Sequence, residues 1–216
     1  MLKFLRLFGI GLFIALTSLA SWAGTTTVYT TDASFLTAAG GGLTFESFET
    51  ASLTTSTLVT WPGGTFYCTG TTFCPGFFGI STFADTGSQS VFYASPDSAT
   101  FTFNSPINAF GIAIGGAGDV ASITLVANLS NGDSVNALTN YTGSFDVFGA
   151  NRQYFGVIDT VPFSSVTFVP SNFGDGIFFD SMSYGNAGST PEPGSIALLG
   201  SGVLGVAGVL RRRFLR

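Results

Sequence analysis

Thr100-Phe101-Thr102-Phe103 alternates hydroxyl with aromatic side chains, a period of two that buries one face of a strand and wets the other. The same rhythm continues on both sides of it. Beside this strand at 99–103, short runs rich in Phe, Val, Ile and Thr predict strands at 27–30, 43–48, 65–68, 77–83, 90–94, 107–114, 122–128, 134–138, 153–158, 165–169 and 177–184. Turn residues separate them, Asn131-Gly132 among others. After the first strand, Asp32 is placed to cap a brief helix over 34–39, stopped by Gly40-Gly41-Gly42. Many short strands and no long helix predict an all-β fold of two packed sheets. A barrel fits less well, because the strand lengths are uneven. Phe-Gly recurs at Phe78-Gly79, Phe110-Gly111, Phe148-Gly149, Phe155-Gly156 and Phe173-Gly174, at unequal intervals that exclude a repeat array. That pattern predicts phenylalanine filling the core next to a glycine where a strand bends.

The rest of the composition agrees. Charged residues make up 9% of the 216, hydrophobic ones 45%, with 24 Phe and 29 Gly. Such a chain is too apolar for disorder and too rich in glycine for a helical bundle. Arg152 is the only cation between Gly24 and Thr190, against eleven acids, a net charge of about −10 for the middle of the chain. That surface repels phosphate backbones, which argues against a nucleic-acid partner.

The ends read as addresses. Lys3 and Arg6 precede the apolar run Leu7 to Leu16, and Ser21-Trp22-Ala23 is a small-x-small site. Residues 1–23 are therefore a signal peptide, cut between Ala23 and Gly24. An uncleaved anchor is the alternative, but the run is shorter than the ~20 apolar residues of a usual span. At the other end Pro191-Glu192-Pro193 lies in a linker over 187–194, an uncharged segment follows over 195–210, and Arg211-Arg212-Arg213 opens a basic tail over 211–216. As a helix, fifteen residues of that segment cover about 22 Å of a ~30 Å hydrocarbon core, so flanking residues and snorkelling arginines make up the rest of a short transmembrane helix. The arginines put the tail in the cytoplasm and the middle domain, 24–186, outside.

Pro191, Glu192, Pro193, the apolar run and the arginine cluster, in that order, resemble the PEP-CTERM sorting signal of exopolysaccharide-producing Gram-negative bacteria. The resemblance implies an exported protein, held in the inner membrane by its tail until an exosortase-type enzyme processes it. It is then released to the cell surface or extracellular matrix, where exopolysaccharide is a candidate partner. Ala109-Phe110-Gly111-Ile112, Tyr154-Phe155-Gly156-Val157 and Ile177-Phe178-Phe179-Asp180 are similar to the middle region common in PEP-CTERM cargo, which implies a jelly-roll-like β-sandwich reminiscent of carbohydrate-binding modules. An adhesive or exopolysaccharide-associated role without enzymatic activity is the leading expectation. A calcium-dependent carbohydrate-binding module is the first alternative and a secreted glycan hydrolase the second.

The chemistry available is narrow. No histidine is present, which excludes Ser-His-Asp and Cys-His nucleophiles and zinc bound by His and Cys. In an oxidising compartment Cys68 and Cys74 form a disulfide across a five-residue gap, a staple contributing roughly 2 kcal/mol; two free thiols are the alternative. No resident cofactor is expected beyond a structural calcium ion. Glu46 and Asp180, on early and last strands that neighbour each other in a jelly roll, are its candidate ligands. Asp85-Thr86-Gly87-Ser88 matches the aspartic-protease core, but that chemistry needs a second carboxylate and no second copy exists in the chain, so only a homodimer would supply it. Trp61 and Tyr67 can present aromatic faces to sugar rings, or pack against the Cys68–Cys74 loop.

Overall fold

In a computed structural model of the chain, residues 25–188 are described, apart from 75, 145 and 146. The segment expected as a signal peptide, 1–23, and the tail beyond 188 lie outside the described residues. Twelve strands follow in order: β1 (Thr26–Tyr29), β2 (Thr44–Glu46), β3 (Ser52–Thr55), β4 (Leu58–Trp61), β5 (Gly64–Thr69), β6 (Phe78–Ser81), β7 (Ser90–Ala94), β8 (Ser98–Gly115), β9 (Ile123–Leu129), β10 (Ser134–Tyr141), β11 (Gln153–Pro170) and β12 (Gly176–Gly185). One helix, α1 (Asp32–Ala39), follows β1. The fold is all-β, a jelly-roll-like sandwich.

Two strands of 18 residues, β8 and β11, build both layers. Their first and last halves pair antiparallel, Thr100 opposite Thr167 in one layer and Gly111 opposite Gly156 in the other. The first layer runs β3-β4-β5-β8-β11-β9-β10, and the second runs β1-β11-β8-β12-β7-β6, with β2 also on β12. Between the halves, Asn104-Ser105-Pro106 and Thr160-Val161-Pro162 are exposed, and the register shifts between Ile158 and Ser165. Proline donates no N–H to a ladder and is found at edges and irregularities. Both strands accordingly bend here from one layer into the other. The sequence pattern breaks at the same places, which is why it predicts 99–103 and 107–114, and 153–158 and 165–169, as separate strands. Asp159 holds the bend, accepting from Val161 N–H at 2.8 Å, from the Thr26 hydroxyl at 2.9 Å and from the Asn131 amide at 3.0 Å.

The core lies between the layers and is largely aromatic. Phe101, fully buried, meets Phe66, Phe168 and Trp61 of its own layer with ring centroids at 4.6, 6.1 and 5.9 Å. It meets Phe179 and Phe110 of the other at 5.4 and 5.9 Å, and Phe48 at 6.2 Å. Phe168 and Phe179 close the inter-layer contact at 4.7 Å. Trp61 is part of this core, 5% exposed, and offers no face to a sugar; Tyr67 is half-buried. β3 and β4, absent from the sequence prediction, have four residues each, and they form a hairpin that continues the first layer beyond β5.

The disulfide Cys68–Cys74 is formed, with its Cα atoms 6.1 Å apart. Asp97 fills the loop it closes, accepting from Phe73 and Cys74 N–H, both at 2.6 Å. Burial opposes the Asp97 charge, but these amides hold its carboxyl below the ordinary carboxylate value. Phe101→Ala removes the ring shared by six neighbours, and is expected to lower the unfolding free energy by about 3–5 kcal/mol in urea titration. A loss under about 1 kcal/mol would show that the layers do not depend on it.

Candidate functional site

Helix α1 is seated by two glycines. Gly111 and Gly156 face each other across β8 and β11, and Phe35 of the helix fills the space above them. A Cβ on Gly156 would lie 2.8 Å from the Phe35 ring, and one on Gly111 would lie 2.6 Å from it. These glycines are required by the approach of the helix rather than by a bend, which corrects the sequence expectation for two of the Phe-Gly pairs. Phe110 and Phe155 beside them do fill the core, whereas Phe173 is 64% exposed. Tyr29 and Tyr154 flank Phe35, each at 6.0 Å. The helix is capped by Thr31, whose hydroxyl accepts from Ser34 N–H at 3.3 Å, and not by Asp32, which occupies its first turn.

That seat brings Asp32 to the rim of a cavity of about 170 Å³, which Phe45, Asp85, Thr86, Arg152 and Ser181 also line. Arg152 Nε donates to Asp85 at 2.7 Å and Nη2 to Asp32 at 3.4 Å, and the guanidinium stands 6.0 Å from the centre of the Tyr154 ring. Hydrogen bonding to Asp85 raises the Arg152 pKa further, so the group stays charged. The second Asp85 oxygen accepts from Ser181 Oγ at 2.6 Å. Ser181 sits at a bulge where β12 shifts register against β8, with φ 49°. For a residue other than glycine, that left-handed backbone costs about 1–3 kcal/mol. The bulge re-aims the strand, as bulges do beside binding sites. Phe45, 57% exposed, adds an aromatic wall.

Asp180 lies beneath this cavity, fully buried, one residue before Ser181. Its carboxylate accepts from Asp85 and Thr86 N–H at 2.7 and 2.8 Å and from Ser181 N–H at 2.6 Å. The Asp-Thr-Gly-Ser match is therefore a turn clasped by Asp180. Although Asp180 is a second carboxylate beside Asp85, its oxygens accept from backbone N–H groups and those of Asp85 from Arg152 and Ser181, so no shared proton joins the two. Glu46 lies on β2 opposite Met182 of β12, and its carboxylate accepts from Phe48 N–H at 2.7 Å. The two candidate calcium ligands thus sit on adjacent strands, each bonded to backbone amides. Glu49 binds the far end of the same turn, accepting from Ser88 and Gln89 N–H at 2.7 and 2.9 Å. Of this site, the sequence offered Asp85, Thr86 and Asp180. Arg152 and Phe45 are brought in by the fold, and the one signal for Arg152 was its solitary charge.

The match to known families falls at the other end of the chain. Residues 189–213 match the model of the PEP-CTERM protein-sorting motif, a span that includes Pro191, Glu192, Pro193, Arg211, Arg212 and Arg213. The chain carries a PEP-CTERM sorting motif. The motif marks an exported protein that an exosortase sorts. Among the described residues no helix is long and apolar enough to cross a membrane. The folded body of this PEP-CTERM chain is similar to a carbohydrate binding module of family 29, with 12% identity, TM-score 0.39, and coverage of 78% of this chain and 96% of that one. It is also similar to the CBM22-1 xylan-binding domain of Paenibacillus barcinonensis Xyn10C, with 14% identity, TM-score 0.42, and coverage of 68% and 97%. No curated protein matches the chain in sequence.

Burial raises the Asp180 carboxyl to about 6, and burial with the neighbouring Asp119 raises Asp175 to about 6. A folded-state pKa above the unfolded one penalises the fold when the acid is ionised. The penalty is complete above about pH 6 and is relieved as pH falls towards the ordinary value near 4. In calcium-free buffer the melting temperature is therefore expected to rise from about pH 7 to about pH 5, with a smaller rise in Asp180→Asn. A wild-type profile that is flat or falls in this window would contradict the assignment.

Proposed function

We propose that the chain is delivered by exosortase processing of its tail to the cell surface or extracellular matrix, where the sandwich acts as a non-enzymatic, adhesive or exopolysaccharide-associated module. The carrying observation is the sorting motif at 189–213, set behind a folded acidic body. The signal peptide at 1–23, the membrane helix at 195–210 and the Arg211-Arg212-Arg213 stop complete the route. Glycan contact is assigned to the Arg152 cavity. Sugar hydroxyls pair with carboxylates and guanidinium groups while the apolar sugar face stacks on a ring, and Asp85, Arg152, Thr86 and Phe45 offer both. Asp32 and Asp85 are tied to the same arginine, an arrangement that favours binding over the proton transfers of a glycan hydrolase.

Mass spectrometry of the native protein from cells with and without the exosortase is expected to show a C-terminus shortened beyond the Pro191-Glu192-Pro193 region only when the enzyme is present. Identical C-termini would remove the sorting route. Independently, Phe45→Ala and Arg152→Ala are expected to weaken retention on the producer's exopolysaccharide about tenfold, which corresponds to about 1.4 kcal/mol each. Because Phe45 is exposed, its variant should fold normally. Unchanged retention of both variants would move the contact elsewhere on the body.

A further inference from the structure

A second polar cluster, away from the Arg152 cavity, joins the loop after β8 to the turn before β12. Asp175 is fully buried there. One carboxylate oxygen, Oδ2, accepts from Gly118 N–H at 2.6 Å and from the Asn172 amide at 3.1 Å. Its other oxygen, Oδ1, is buried without a hydrogen-bond partner, and so is Asn172 Oδ1. The half-buried Asp119 carboxyl lies against Asp175. The main chain locks the arrangement: Asp175 N–H donates to Ser95 Oγ at 2.9 Å, Ser95 N–H to Asp175 O at 2.9 Å, and Gly174 N–H to Ser95 O at 3.0 Å. The Asn172 amide also donates to Ala121 O at 3.2 Å, tying the turn to the loop.

Left alone, this cluster is costly. A buried acceptor without a donor forfeits about 1–3 kcal/mol, and two adjacent carboxylates repel. Arg152, the only cation in the body, is paired with Asp85 and Asp32 instead. The donor atoms are all oxygen, two from carboxylates and one from a carboxamide, with no nitrogen or sulfur ligand among them. Such a set suits a hard divalent cation of flexible coordination and disfavours zinc or copper.

We infer that Asp119, Asn172 and Asp175 form a calcium site that fastens the 116–121 loop to the 171–175 turn. The orphaned Asp175 Oδ1 and Asn172 Oδ1 are the inward ligands, and Asp119 completes the site from the solvent side, where the ion enters. The same turn carries Phe173, which packs on Phe73 at 5.3 Å beside the disulfide loop, so the ion would also fix an exposed aromatic group. This site is distinct from the Glu46 and Asp180 pair and does not depend on glycan binding.

The test compares thermal melting of the full chain, purified in detergent and stripped with chelator, with and without calcium chloride. With calcium a hundredfold above its Kd, the melting temperature should rise by about 5–10 °C. Asp119→Asn, at a half-exposed position that should not impair folding, is expected to abolish the rise. Glu46→Gln is expected to leave it intact. No calcium shift in the wild-type chain overturns the site, as does a shift that survives Asp119→Asn. Terbium emission sensitised by the buried Tyr93, whose pKa is raised by burial and then by the nearby Asp175 charge, supplies a second readout. It should appear in the wild-type chain and vanish in Asp119→Asn, and emission equal in both would also overturn the site.

Discussion

Contact between Phe101 and the rings of the opposite layer is the interaction on which the rest of this protein depends. A sheet with one apolar face is stable only when that face is covered. Here each layer covers the other through aromatic rings, with Phe179 and Phe110 of the opposite layer 5.4 and 5.9 Å from Phe101. Apolar burial is non-directional, but ring packing is not, since edge-to-face and offset contacts fix how the surfaces interlock. The buried phenylalanines of the core are thus less a sign of stickiness than the filling between two sheets.

The outer surface of the second layer follows from what those sheets leave bare. Two glycines facing each other make a hollow in a sheet surface, and Phe35 occupies it. With the helix seated, its first turn lies beside the strand bulge at Ser181, and the arginine of β11's leading edge is held between two acids. The charge that gives the cavity its character is thereby fixed by packing on the far side of the helix. Asp180 supports it from below by binding the amides of the turn that presents Asp85.

Much of the sandwich was legible in local pattern. Alternation at Thr100-Phe101-Thr102-Phe103 reports which side chains are buried, because strand faces alternate whatever the tertiary setting. The bends in β8 and β11 were not legible as bends. A polar, proline-containing interruption looks the same whether the chain turns back or crosses between layers, and only pairing with a partner strand distinguishes them. β3 escaped notice because Ser52–Thr55 is exposed on both faces, leaving no apolar period to detect. Asp175 illustrates the limit for sites. Within Phe173-Gly174-Asp175-Gly176 it has the form of a turn residue, and its burial depends on loops that are distant in sequence. The sorting tail was the easiest part to identify, since its order of motif, apolar run and arginines is written in sequence alone.

The continuity of β8 and β11 through both layers has a kinetic side. Neither layer can be completed until residues 98–115 have met residues 153–170, so the body has no half that can assemble early and wait. Pairings of this range make folding slow and leave strand edges open in the meantime. A chain threaded through a membrane from its N-terminus would therefore emerge largely unstructured, and would gain its shape only when most of it had passed. Export and folding are in this way set in sequence by the course of two strands.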